Sequence, residues 1–463
     1  MRVAVTGSGP APRHAGRLLA SFGAAVVPGD APGLDGVIDA DGSLSATTVP
    51  AVRTKDSSAE EDWAASGAMA LTGRADGPAL GAPGFPASAA RGALLATELL
   101  ARIARVPVTL PGAEVLSERA ALAGLRRGAP ASAGRKYRVL RAADGWLGVN
   151  LARPSDVELL PAWLEADVPS ADPWPALARL VGVSAAGPLA ERARLLGLPV
   201  AASPPGGGDE ARPIILKGQP YRPGVPTRPW SLPPTLVVDL SALWAGPLCG
   251  HLLTRIGARV VKVESVHRPD GARFGCTAFY DLLHAGQESV ALDFRTAEGR
   301  NALAALVAAA DVVIESSRPH ALRRLGIVAE DVLVRGKDSC WVSITAYGRS
   351  APWANAVGYG DDASLAGGLL AFDPATGTPA PCGDAIADPL TGVHAAFVAL
   401  ACRLGGGAWI ADIALREQVA GTVRPGDFGT GDWMPADPVA RTAETPAPAL
   451  GAHTRSVLAE FGL

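Results

Sequence analysis

Cysteine is scarce in this sequence: Cys249, Cys276, Cys340, Cys382 and Cys402 are the five, and no two are spaced as CxxC. An odd count without such spacing does not read as a disulfide framework. Charge of one sign is also lacking. The formal net charge is −3 and no basic block stands out, which argues against a nucleic-acid partner. No apolar run free of charge reaches the ~18 residues a membrane span needs, so no membrane association is expected. The opening MRVAVTGSGP has no long apolar core and no cleavage site, and does not read as a signal peptide. No HxxxH, CxxC or GxSxG occurs in a suitable context, so neither a metal site nor a serine hydrolase is expected. Together these absences predict a cytoplasmic, soluble protein.

Apolar residues are plentiful. The 463 residues are 48% hydrophobic and 19% charged, enough for two or three buried cores. Glycine and proline are frequent but scattered, and read as turns.

The chain resembles itself. Residues 3–27 (VAVTGSGPAPRHAGRLLASFGAAVV) align without gaps on 237–261 (VVDLSALWAGPLCGHLLTRIGARVV). Gly16 falls on Gly250, Leu18-Leu19 on Leu252-Leu253, Gly23 on Gly257 and Val26-Val27 on Val260-Val261. Each copy reads as strand, Gly/Pro turn, helix and apolar strand, a βαβ unit. A second pair, 62–100 and 362–400, sets Gly67, Gly77 and Gly92 on Gly367, Gly377 and Gly392. The offset grows from 234 to 300, so the first copy lacks 66 residues of the second.

Within the second copy, LVVDLS, RVVKVE, SVALDF, DVVIES and CWVSITAYG read as strands, most separated by helical segments such as 299–310. Alternation of near-continuous apolar strands with helices predicts an α/β fold, a doubly wound, Rossmann-like parallel sheet. Between the copies, KYRVLRAADGWLGVNLA reads as a hairpin about Asp144-Gly145, followed by helices, as in a smaller α+β domain. The expected organisation is a shortened copy of a large domain at 1–135, a small domain at 136–225, a linker at 226–234 and a second large domain at 235–463. GSGPAP (7–12) resembles a dinucleotide-binding glycine loop, but it lacks the third glycine, and Pro28-Gly29 stand where an acidic residue would be needed.

Five collinear segments of the second copy resemble the class III (CaiB/BaiF-like) coenzyme A transferases. They are LVVDLSALWAGPLCGHLLTRIGARVVKVE (236–264), SVALDFRTAEGRNALAALVAAADVVIESSRPHALRRLGI (289–327), WVSITAYGRSAPWA (341–354), the ADPLTG turn around Asp388, and the closing APALGAHTRSVLAEFGL (447–463). The resemblance implies transfer of CoA between an acyl-CoA and a carboxylic acid, with no tightly bound cofactor and CoA itself as substrate. It places the catalytic Asp at Asp388, with Asp384 a nearby competitor. From local sequence alone, Asp388 reads as a helix N-cap, as most Asp at this point would be; the resemblance reverses that reading. It further implies CoA contacts from Arg318 and Lys262, with Arg268 a weaker addition by position, and equates Ala245-Gly246 with the family's AGP turn.

Three departures matter. Ser88 stands in the first copy where Asp388 stands in the second, so the first copy should have no transferase nucleophile. HAGQES replaces the family's basic NRGKRS, so Gln287 and Glu288 stand for two cations. A racemase branch of the family would need a His before YGDDASLAGGL, where Tyr359-Gly360 stand; His394 lies within the following helix. Family members form interlocked dimers, so a fused chain implies either a homodimer or an intrachain pseudo-dimer. A non-catalytic protein that binds acyl-CoA or a partner subunit is the alternative.

Overall fold

A computed structural model describes residues 1–43, 49–204, 211–219, 232, 234–334, 338–424 and 433–463. The expected linker 226–234 lies outside the described residues except for Leu232 and Pro234.

Short β-branched segments build four parallel strands: β1 (Arg2–Val5), β2 (Ala25–Val27), β3 (Gly36–Asp39) and β4 (Ala51–Arg53). They lie in the order β2-β1-β3-β4. The helix Pro10–Ser21 links β1 to β2, as the sequence predicts. A three-stranded antiparallel sheet follows, from β5 (Tyr137–Arg141), β6 (Trp146–Asn150) and β7 (Val200–Ala202). The β5–β6 turn is the expected one, with the Ala142 N–H donating to the Gly145 carbonyl. Four helices between Pro154 and Leu196 close a separate core over this sheet, centred on Trp163.

The main sheet has seven strands. β8 (Ile215–Gln219) is followed by β9 (Leu236–Asp239), β10 (Arg259–Ser265), β11 (Glu288–Leu292), β12 (Val312–Glu315) and β13 (Ser339–Thr345). A hairpin of β14 (Leu370–Phe372) and β15 (Pro379–Pro381) precedes β16 (Ala408–Ala414). The order is β11-β10-β9-β12-β13-β16-β8, parallel throughout except for β8. All five strands read from the second copy are present. The predicted helix appears as Ala297–Ala309, capped by Thr296, whose hydroxyl accepts from the Gly299 N–H at 3.0 Å. One boundary differs. β8, placed by sequence at the end of the small domain, is the antiparallel edge of the large sheet, because its backbone pairs with β16.

The order β2-β1-β3-β4 matches the inner order β10-β9-β12-β13. Long buried helices follow both sets, Pro86–Ile103 and Ala387–Gly405. Each crosses the first helix of its own half at a glycine. A Cβ on Gly92 would lie 2.6 Å from the Ala11 carbonyl oxygen, and one on Gly392 would lie 2.6 Å from that of Ala245. Only glycine permits these approaches. The two long helices pack against each other, and one core cluster runs through both halves.

At that junction His14 and His394 meet, Nε2 to Nε2, at 2.8 Å. The His394 Nδ1–H donates to the Leu390 carbonyl, so Nε2 of His394 accepts and His14 donates. Burial lowers both pKa values, that of His394 to about 4. Their folded pKa values lie below the ordinary histidine value, so these groups favour the fold above about pH 6.5 and oppose it as pH falls toward 4. At pH ~5, His394 alone costs about 2 kcal/mol. A His14→Gln variant, which removes one titrating group, is therefore expected to lose less melting temperature than wild type between neutral pH and pH ~5. An equal loss in both proteins would show that the pair does not govern this response.

Candidate active site

Asp388 sits in the first turn of the helix Ala387–Gly405. A tight turn brings it there. Gly383 and Ala385 both have positive φ, +64° and +47°, and the Gly383 N–H donates to the Thr72 hydroxyl of the first half. The carboxylate accepts the backbone N–H of Gly360. A Cβ at 360 would lie 2.3 Å from Asp388 Oδ2, so the absence of a side chain there is what lets the carboxylate dock. Solvent reaches part of Asp388, although it lies deep below the protein's outer atoms. Burial pushes its pKa up to about 7, opposed by the Arg119 guanidinium and reinforced by Asp361. The partial positive charge of the helix N-terminus favours the ionised form. Burial outweighs the partial charge of the helix end.

Two more carboxylates stand beside it. Asp384 is fully buried and takes a two-pronged ion pair from Arg119, Nε at 2.8 Å and Nη2 at 2.5 Å. Asp361 accepts the Ala385 N–H at 3.1 Å. Burial, and then the Asp384 charge, raise its pKa to about 6. Asp384 is therefore occupied by Arg119, whereas Asp388 and Asp361 have no ion-pair partner among the described residues. Arg119 comes from the helix Glu118–Ala123 of the first half, and its guanidinium lies 5.0 Å from the Trp244 ring. Sequence reasoning missed it. Nothing at position 119 signals a partner 265 residues away.

Asp362, next to Asp361, accepts from the Tyr347 hydroxyl at 2.9 Å, the Tyr359 N–H at 2.9 Å and the Asn150 amide at 3.4 Å. Asn150 ends β6, so the small antiparallel unit reaches the site through it.

The sequence-derived ligand positions separate in space. Ala245-Gly246 begin the helix Ala245–Arg255, against which Gly392 packs one turn beyond Asp388. Arg268 is exposed and close enough to Tyr359 to act on its phenol electrostatically, which puts it at the rim of the site. Arg318 is also exposed, at the start of the helix Pro319–Arg324. Its loop touches the loop before Trp244, through the Ala242 N–H to the Ser316 hydroxyl at 3.0 Å.

Lys262 is a correction. Only 2% exposed, it sits 3.1 Å from Asp270 and 3.8 Å from Asp239, and donates to the Ser241 carbonyl. It points from mid-strand into the protein and cannot reach a phosphate in solvent. Its ammonium instead ties down the loop leading to Ala245. Gln287 is also buried and pairs with His284, while Glu288 pairs with Arg259 at 2.6 Å. The anion at 288 is thereby neutralised locally, and neither residue supplies the missing cations. His394 is held in the helix interior by His14, away from a proton-transfer role.

In the first half, Ser88 is fully buried and donates to Asp62 at 2.5 Å. Arg91 also binds Asp62.

Fold and site define an α/β protein in which a part-buried carboxylate at a helix start lies in a half built on a doubly wound, mostly parallel sheet. Residues 232–410 match the sequence model of CoA-transferase family III. A succinyl-CoA–D-citramalate CoA-transferase of Chloroflexus aurantiacus is 31% identical over 209 residues, 42% of this chain and 51% of that protein. A succinate–glutarate CoA-transferase of Agrobacterium fabrum is 31% identical over 188 residues, 37% of this chain and 46% of that protein. A formyl-CoA:oxalate CoA-transferase of Escherichia coli is 27% identical over 179 residues, 36% and 42%. The chain spans about half the length of the curated relatives it matches. A crystal structure of a CaiB/BaiF family protein from Brucella suis is 31% identical, covers 41% of this chain and 54% of its own, and has a TM-score of 0.38. Among the described residues no helix is long and apolar enough to cross a membrane.

Proposed function

We propose that this protein transfers coenzyme A between an acyl-CoA and a carboxylic acid, with Asp388 as the nucleophile. The observation that carries this reading is a part-buried carboxylate, held by the Gly360 N–H and near Arg119, inside the segment that matches the family. An Asp388 oxygen attacks the thioester carbonyl, the C–S bond breaks and CoA leaves as thiolate, giving an aspartyl-acyl anhydride. The incoming carboxylate attacks the Asp388 carbonyl carbon of that anhydride and expels the first acid as its carboxylate, giving a second aspartyl-acyl anhydride. The thiolate then attacks the new acyl carbonyl, which forms the new thioester and releases the Asp388 carboxylate. Burial that raises the Asp388 pKa also raises its basicity, which favours attack once it is ionised. Arg268 at the rim and the exposed Arg318 are the candidate phosphate contacts for the nucleotide end of CoA.

We read the chain as a shortened copy of the large domain (1–135), a small domain (136–225) and a second large domain (235–463). The shared strand order and the paired glycine crossings support duplication. In this reading one chain imitates part of a dimer and carries one active centre, since Ser88 cannot form the anhydride.

The test is transfer from succinyl-CoA to citramalate, glutarate or oxalate, the acids named by the relatives, followed by mass spectrometry of the CoA products. Because the nucleophile must be ionised, kcat/KM is expected to rise with pH through a midpoint near 7. CoA binding without transfer to any acid would favour the non-catalytic reading, which the absence of cations at 287 and 288 supports. The absence of both binding and transfer would end the proposal.

A further inference from the structure

A cavity of about 730 Å³ opens in the first half, a volume typical of small-molecule sites. It lies at the starts of the helices Pro10–Ser21, Ala59–Ala65 and Pro86–Ile103. These correspond in chain order to the three helix starts around Asp388. Its chemistry differs. Ser88 is buried behind it on Asp62 and does not line it, so the counterpart of Asp388 does not face the space.

Arg13, Arg17 and Arg424 face it instead. Arg17 and Arg424 both lie over the Phe85 ring, at 5.7 and 4.9 Å. Arg13 donates to the Ser8 carbonyl. Among the described residues none of the three has a carboxylate partner. The Arg17 pKa is lowered, first by burial and then by the charges of Arg424 and Arg13, as expected where guanidinium groups crowd without an anion. The acidic lining residues are mostly engaged. Asp56 accepts the Ser8 and Gly9 N–H groups at 2.8 and 2.7 Å and so fills the helix end itself. Glu61 accepts the Ser58 N–H at 2.8 Å. Glu60 remains.

We propose that this cavity binds a phosphorylated small molecule, with its phosphate held by Arg13, Arg17 and Arg424, and does not turn it over. Guanidinium forks match phosphate oxygens in geometry and charge. The volume beyond the phosphate takes an organic group.

The test is calorimetric titration of the full chain at low salt with inorganic pyrophosphate as probe. Binding is expected, and an Arg17→Gln/Arg424→Gln double variant should weaken it at least about tenfold, two lost charge-assisted contacts being worth at least that. Both side chains are exposed, so the variant should fold, which its melting curve checks. Arg179→Gln, an exposed arginine on the helix Trp174–Gly182 and in neither site, should leave the affinity unchanged. Absence of binding at millimolar pyrophosphate overturns the proposal. So does binding that the double variant leaves intact, or binding lost in Arg179→Gln.

Discussion

Asp388→Asn is expected to lower CoA transfer by at least about 10³-fold, because a neutral amide cannot open the thioester and no other group replaces it. The same change should not unfold the protein. Asparagine has nearly the same shape, and its carbonyl oxygen can still accept the Gly360 N–H. It should even stabilise the fold. The Asp388 pKa is raised from 3.8 to about 7. A carboxyl raised in this way binds its proton more tightly folded than unfolded. Its contribution therefore favours the fold below the ordinary value and is lost as pH rises toward 7. At neutral pH and above, the ionised form costs the native state on the order of 1–3 kcal/mol, allowing for its partial access to water. Asparagine removes that cost. The paired result expected is lost turnover with a higher melting temperature. Retained turnover would refute the nucleophile. A lower melting temperature would instead mark Asp388 as a structural helix cap.

Arg119→Met should be the most damaging change for the fold. Asp384 has no exposed surface, and Arg119 is its ion-pair partner. Removing one partner of such a pair leaves a buried charge uncompensated, which costs about 3 kcal/mol, the low end of the range because Arg119 keeps a third of its side chain in water. A structural role alone would stop there. Arg119 also lowers the pKa of both Asp361 and Asp388. Its loss should move the rising limb of the pH–rate profile to higher pH. Arg119→Lys keeps the charge but not the two-pronged geometry, so it should restore the limb more fully than the stability. If Arg119→Met lowers the melting temperature and leaves the limb where it was, Arg119 supports the fold and does not tune Asp388.

The large sheet was readable because its strands are runs of Val, Ile and Leu buried on both faces, and such runs announce themselves without tertiary context. β8 was not. ILKGQ is half polar and owes its strand conformation to the exposed edge of β16, a partner that local pattern does not reveal. Lys262 shows the same limit in a side chain. Its neighbours in VVKVE place it on a strand, but only the tertiary structure shows that it faces Asp239 and Asp270 rather than solvent.

By itself the sequence determined the α/β class, the two βαβ units and Asp388 at a helix start, because apolar period, turn glycines and motif spacing are local properties. Tertiary structure decided what surrounds that carboxylate. Arg119 and Asn150 reach the site from distant parts of the chain. The charge state of Asp388 follows from how deeply it is buried and which cation lies near it, and neither is encoded within a few residues of position 388.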